Sequence, residues 1–402
     1  MKAFKVLAVL AIVALVGSGF ALAPTASAQS NVIKIASQSP LSGGQSVLGT
    51  AISNGARLAI EQLSKPIEDL GFKIEYVPFD DQATPDVGVS NAQNIVNDAA
   101  ILAVVGHLNS GVAIPASEVY NKSDLVMVSP ANTNPAVTDR GLPTVVRICG
   151  RDDTQGTVGA NYALNELKAK TAYVIHDKTA YGEGVATFFR DVFQANGGEV
   201  LGFEGTEEKA NFDAILTPIV ASAPDVIYFG GIYDQAALFF KQAREKGLTS
   251  QFMGADGLDS SDLVKIGGEA MVGTIFTSTA GPAELFPEAK QFIEDYKKTF
   301  KTEIVETYAA EAYAATQVVL AGIEAAIKAN NGALPTRKQV TEAVRATKDL
   351  STVIGAITLD GNGDKVEATY YILKAVGADP AGAWKELLTT TTAPSPLAAK
   401  AK

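Results

Sequence analysis

The stretch from Thr171 to Gly230, TAYVIHDKTAYGEGVATFFRDVFQANGGEVLGFEGTEEKANFDAILTPIVASAPDVIYFG, decides the fold. Thr171 to His176 reads as a strand, and Gly182 to Ala195 carries apolar residues at helical spacing. Glu199 to Gly202 is again a strand, Asn211 to Ala221 a helix and Asp225 to Gly230 a strand. The helical stretch Asp234 to Lys246 follows. Strands alternating with crossover helices imply parallel, doubly wound sheets.

The same alternation runs through the earlier residues. Val32 to Ala36, Lys73 to Phe79, Ile101 to Val105 and Leu125 to Ser129 read as strands. Helical spacing falls at about Ser53 to Leu63, at Pro85 to Asp98 and at Ala116 to Tyr120. One sheet of this length would be unusually wide, so two sheets in two lobes fit better. Later, Glu284 to Thr299 and Tyr308 to Asn330 read as helices. Ile357 to Leu359 and Ala368 to Ala375 suggest a hairpin around Asp360-Gly361-Asn362-Gly363-Asp364. The Thr-, Ala- and Pro-rich end is expected to be a flexible tail.

The first residues read differently. Lys2 and Lys5 precede an almost continuously apolar run from Val6 to Leu22, and Ala26 and Ala28 form an A-x-A site. That is the pattern of a secretory signal cleaved after Ala28. The expected product is exported and soluble.

The chain has 402 residues, 47% of them hydrophobic, which is enough for a real core and excludes wholesale disorder. Its net charge is −11, and removing Lys2 and Lys5 with the signal makes it −13. An acidic chain is a poor partner for nucleic acid or an anionic membrane. The single Cys149 permits no internal disulfide. With only His107 and His176 besides, thiolate or imidazole metal clusters are not expected, and no cofactor is implied.

Catalytic motifs are missing as well. The sequence holds no P-loop, no G-x-S-x-G and no G-x-G-x-x-G after a strand. His176-Asp177 has no nucleophile setting nearby, so acid–base chemistry is not expected there. Asp360, Asn362 and Asp364 match the start of a calcium loop, but Lys365 and Tyr371 stand where that loop needs Gly and Glu. A polar turn is the expectation.

In open α/β sheets, ligands bind beyond the carboxyl ends of the strands. Those ends carry small polar groups at 37–44, 106–111, 129–135, 176–184 and 254–257. Ser110 and Thr133 stand where a helix could begin, with free N–H groups suited to a carboxylate, although both residue types also serve as simple caps. Asp256 has no Lys or Arg within three positions. It could hold an ammonium group or be an ordinary turn residue. Tyr181 could close over a ligand or pack as a half-buried tyrosine. Together, a carboxylate receptor in one lobe and an ammonium receptor in the other describe an α-amino acid site.

At these segments the chain resembles the leucine/isoleucine/valine-binding family, the periplasmic substrate-binding proteins of branched-chain amino acid ABC importers. The matching strings are Gly106-His107-Leu108, Pro115-Ala116-Ser117, Ser129-Pro130-Ala131, His176-Asp177-Lys178, Tyr181-Gly182-Glu183-Gly184, Gly230-Gly231 and Gln251-Phe252-Met253-Gly254. The similarity runs from about Ile33 to about Ala375. The resemblance implies a type I periplasmic binding protein fold, with two α/β lobes joined by three crossovers, and no catalysis. The lobes would interleave: 32–150 and 280–355 in the first, 151–279 and 356–385 in the second, with the tail at 386–402. Ser110 and Thr133 match positions that bind the ligand carboxylate, and the Ala131 carbonyl, with Thr133, would meet the ammonium. Tyr181 matches the aromatic that closes from the second lobe. Asp256 matches an acidic residue, commonly Glu, that pairs with the ammonium. Leu48, Ile232 and Tyr233 fall at side-chain pocket positions, where Leu48 and Ile232 depart from the family's usual aromatics. The implied partners are an amino acid and the permease and ATPase subunits of the importer, and the implied protein is a periplasmic monomer. A polar amino acid, urea or an amide would suit the same fold. A secreted hydrolase would need a nucleophile and base, and a sensory domain would need an output module.

Overall fold

The computed structural model describes residues 31–400, and the expected signal at 1–28 lies outside them. Strands β1 Val32–Ser39, β2 Lys73–Asp80, β3 Ile101–Gly106, β4 Val126–Ser129 and β5 Val145–Arg147 form one sheet in the order β2-β1-β3-β4-β5. Every pairing in it is parallel. β3, β4 and β5 are buried along their whole length. Strands covered on both faces read as continuous runs rather than alternating ones.

The second sheet contains β6 Thr171–His176, β7 Glu199–Gly205, β8 Val226–Gly230, β9 Gln251–Gly254 and β10 Ile275–Ser278. A small separate ribbon pairs β11 Leu350–Thr352 with β12 Gly355–Ile357. Two late strands, β13 Glu367–Ala375 and β14 Lys385–Pro394, complete the second sheet, whose order is β14-β13-β10-β9-β8-β6-β7. Its first five strands are parallel, while β13 and β14 run antiparallel at one edge.

The chain visits both sheets twice. The helix Ala309–Ala329 packs Val318, Val319, Ile323 and Ile327 into the same core as Ile33 and Ile35 of β1. β13 then returns to the second sheet, where Leu373 joins a core with Phe229, Phe252 and Phe276.

The crossings are tied by buried charge. Arg147 Nε donates to Asp364 Oδ1 at 2.5 Å, and Arg151 Nη1 donates to Asp364 Oδ2 at 3.0 Å. Thr138 Oγ1 donates to Asp364 at 2.8 Å, and Arg147 Nη1 satisfies the carbonyls of Asn132 and Asn134. Arg151 also pairs with Asp139 and Asp153. Burial pushes the Asp364 carboxyl up, but the two guanidinium groups and their hydrogen bonds hold it below the usual carboxylate range.

Two expectations fail. The segment from 386 is not a loose tail, because Lys385–Pro394 pairs with β13 along its length and Pro396–Lys400 is a short helix. Its Thr run is β-branched and stiff, and it covers an edge that β13 would otherwise leave open. The hairpin expected from 357 is also absent. β12 pairs with β11, and Leu359 meets Lys365 only in an isolated bridge. Between them Asp360 Oδ1 accepts the N–H groups of Asn362 and Asp364, as a polar turn should.

Candidate functional site

The loops after β3 and β4 are stitched into one surface. Asn132 Oδ1 accepts the His107 N–H at 2.9 Å and the Ser129 hydroxyl at 2.7 Å, while its Nδ2 donates to the Leu108 carbonyl at 2.8 Å. His107 is buried between Asp81, Gln38 and Tyr120. It anchors the loop and does not face the cleft.

Ser110 is the first residue of the helix Ser110–Asn121, so its N–H lies among the free donors of a helix start. Its Oγ accepts the Asn134 N–H at 3.3 Å. Thr133 is different from its expectation. The helix that follows it in sequence, Ala136–Asp139, is a single turn beginning three residues later, and the helix start that Thr133 does meet is that of Asp152–Asn165. It is buried in a loop, its carbonyl accepts the Asp152 N–H at 2.9 Å, and its hydroxyl has no partner among the described residues.

The second lobe supplies the closing groups. Thr179 caps the helix Ala180–Ala195 by accepting the Gly182 N–H, which fixes Tyr181 in the first turn. The Tyr181 hydroxyl donates to Asp256 Oδ1 at 2.7 Å and accepts the Gly257 N–H at 2.8 Å. Asp256 opens a short 3₁₀ turn after β9, is 2% exposed, and takes a second hydrogen bond from Tyr308. Burial raises the Asp256 carboxyl above its usual range, against the donors Tyr308, Tyr181 and Gln155. Burial, and then the charge of Asp256, push the Tyr181 and Tyr308 hydroxyls well up, so both remain donors.

Leu48, Ala131, Tyr181, Ile232 and Asp256 meet around one cavity, together with Tyr308. Leu48 and Ile232 are aliphatic walls, and Leu108 is a third. Ser110, Thr133 and Tyr233 lie off this lining, and Tyr233 is buried in the core of the second lobe. The cavity measures about 10 Å³, room for about one water-sized sphere, so a larger ligand enters only if the lobes part. They touch where Asn134 Nδ2 donates to the Ala180 carbonyl at 2.6 Å. On the outer side of Tyr181 a larger cleft of about 590 Å³ runs between Gln45 and Asn109 of one lobe and Lys178 and Asp234 of the other.

Two residues at or near the candidate site were not read from sequence. Tyr308, at φ 72° just before the helix Ala309–Ala329, looked like an ordinary helical residue. Asp152, at the start of the helix Asp152–Asn165, has the signature of an acidic first turn, a common helix feature. Its position is unusual nonetheless: it is fully buried and neither carboxylate oxygen meets a donor in hydrogen-bonding geometry among the described residues. His176 and Asp177 instead close a turn, with the Lys178 N–H on His176 and the Thr179 N–H and hydroxyl on Asp177.

No helix among the described residues is long and apolar enough to cross a membrane. The family model for periplasmic binding proteins matches residues 32–380. A Leu/Ile/Val-binding protein of Rhizobium johnstonii is 36% identical over 358 residues, 89% of this chain and 94% of that protein. An amino acid binding protein of Pseudomonas aeruginosa is 35% identical, over 83% of this chain and 87% of its own. Among solved structures, a leucine binding protein from Thermotoga maritima superposes with a TM-score of 0.80 at 30% identity, covering 90% of this chain and 99% of that one. The chain therefore belongs to the periplasmic binding protein family.

Proposed function

We propose that this protein binds an L-α-amino acid of the branched-chain class between its lobes and presents the closed complex to the permease of an ABC importer. The observation that carries the reading is Asp256: a buried carboxylate on the wall of an otherwise aliphatic interlobe cavity, held by Tyr181 and Tyr308. A buried anion with no ion pair among the described residues calls for a cationic ligand group. Leu48, Leu108 and Ile232 suit an aliphatic side chain next to that ammonium. Ser110 N–H and hydroxyl, with the Thr133 backbone, receive the carboxylate.

The names of the related proteins support the same ligand. A substrate-binding protein from Streptococcus pneumoniae, described in complex with isoleucine, shares 25% identity and a TM-score of 0.78, covering 90% of this chain and all of that one. Another neighbour, from Rhodopseudomonas palustris, was solved with benzoate, but at 21% identity it speaks for the fold alone. An aromatic acid has no ammonium and would leave Asp256 unpaired.

The mechanism is hinge closure. The ligand docks on the first lobe, and closure brings Tyr181 and Asp256 over it. Excluding water strengthens the ion pair, because the local dielectric falls. The aliphatic walls then discriminate side chains, each methylene being worth about 1–3 kcal/mol. No catalytic step is required. The protein acts as an extracytoplasmic monomer after its signal is removed behind Ala28, and an ATPase subunit drives the permease.

Calorimetric titration of refolded, ligand-free protein with the common amino acids tests the reading. Binding of leucine, isoleucine or valine with roughly micromolar affinity, about −8 kcal/mol, is expected. No heat from any of the three at millimolar concentration would overturn it.

A further inference from the structure

Around Asp256 the chain offers more hydrogen-bond acceptors than its own donors satisfy. Asp152 Oδ1 and Oδ2, Gln155 Oε1 and the Thr133 hydroxyl are all buried and without partners among the described residues. They lie off the lining of the small cavity and connect to Asp256, which is on it, through Gln155. The Asp152 N–H holds the Thr133 carbonyl at 2.9 Å, and Gln155, on the same helix, reaches to Asp256. Thr133 Oγ1 lies beside the Asp152 carboxyl, outside hydrogen-bonding geometry. The unpaired Asp152 carboxyl and Gln155 carbonyl oxygen, beside a hydroxyl that can turn either way, are complementary to a group with several N–H donors and a positive charge.

The surrounding charges supply no such group. From the crossover, Arg147 approaches Asp152, but its guanidinium is spent on Asp364, Thr138 and two carbonyls. Asp153, the next residue of the same helix, is engaged with Arg151. Tyr228 of β8 and Tyr181 face both carboxyls, as does the Cys149 thiol, and Tyr308 faces Asp256. All four are neutral at ordinary pH, since burial raises each. Two carboxyls in one buried space cannot both ionise without a cation.

We infer that Asp152 is a second carboxyl of the ammonium receptor, and that the ligand-free pair Asp152–Asp256 carries a proton which ammonium binding expels to solvent. The inference rests on the amino acid reading above and adds a ligand-contacting residue and a proton linkage to it. The balance is simple. The ammonium arrives already protonated, one carboxyl loses its proton to the buffer, and the bound state holds two carboxylates around one cation. Burial, and next the charge of Asp256, act to keep Asp152 protonated until that cation arrives.

Titration with L-leucine at pH 7 in phosphate and in Tris, whose ionisation heats differ, measures the proton directly. About one proton released per leucine is expected, with affinity rising up to about tenfold per pH unit. D152N, checked for folding by thermal melting, should bind at least about tenfold more weakly and release none. Equal heats in the two buffers would overturn the inference while leaving amino acid binding standing. Proton release that persists in D152N would overturn it too. Release on binding an amino acid other than leucine, isoleucine or valine, with no heat from those three, would support it and overturn the branched-chain reading. No heat from any amine-bearing ligand would overturn both.

Discussion

Two of the molecule's buried charge groups differ in one respect. At the crossovers, Asp364 meets Arg147 and Arg151, and each oxygen and guanidinium has its counterpart in the chain. At the cleft, Asp256 is hydrogen-bonded by two tyrosines but forms no ion pair among the described residues, and Asp152 has no donor in hydrogen-bonding geometry among them. Both places pay the desolvation cost of a carboxylate. Where the counter-ion is in the chain, the cost maintains the fold. Where it is missing, the proposed function makes the ligand's ammonium the counter-ion.

The largest expected effect lies at the saturated cluster. Asp364→Ala leaves Arg147 buried and unpaired, which should cost about 3–5 kcal/mol of folding stability. Denaturant unfolding at pH 7 measures it, and a loss below roughly 1 kcal/mol would erase the contrast. Its pH dependence has a definite sign. The Asp364 pKa is depressed on folding, so its contribution is present above the unfolded carboxylate value and is lost as pH falls through the folded one.

Glu311 is an intermediate case. It is buried near Lys365, and burial raises its pKa to about 7. Because the folded value is the higher, stability falls as pH rises from the unfolded value near 4.5 through about 7, then levels. That is on the order of 3 kcal/mol, and Glu311→Gln should flatten this part of the stability–pH profile. A variant profile that keeps the slope would show that Glu311 is already paired.

The smallest effect is Tyr308→Phe. It removes one donor from Asp256 and should weaken amino acid binding by roughly ten- to a hundredfold, the worth of a hydrogen bond to a charged group. Calorimetry that finds unchanged affinity would make Tyr308 a packing residue only.

Much of this contrast was legible in the chain itself. The strands at Thr171–His176 and Val226–Gly230 stand where the apolar runs put them, and the helices between them shift by one or two residues at their ends. Asp256 and Tyr181 stood out because each sits at a strand or helix end where open α/β sheets place their ligands, whereas Ala131, Leu48 and Ile232, which line the same cavity, were marked only by the family resemblance. Thr133 was misjudged in its surroundings, since a loop and a helix start look alike around Ser-Pro-Ala-Asn-Thr. Tyr308 and Asp152 escaped because their importance lies in what the fold brings to them from far along the chain. Tyr308 meets a carboxylate 52 residues away, and buried Asp152 feels the charge of that same carboxylate. The Thr-rich end was misread because composition alone does not show that an edge strand waits for a partner.

One measurement goes to the centre: calorimetric affinities of wild type and Asp256→Asn for L-leucine and for 4-methylpentanoate, which is leucine without its amino group. If the Asp256 carboxylate recognises the ammonium, wild type should prefer leucine by roughly a hundredfold or more, and the variant should lose most of that preference. A preference for leucine that survives undiminished in Asp256→Asn would contradict the assignment.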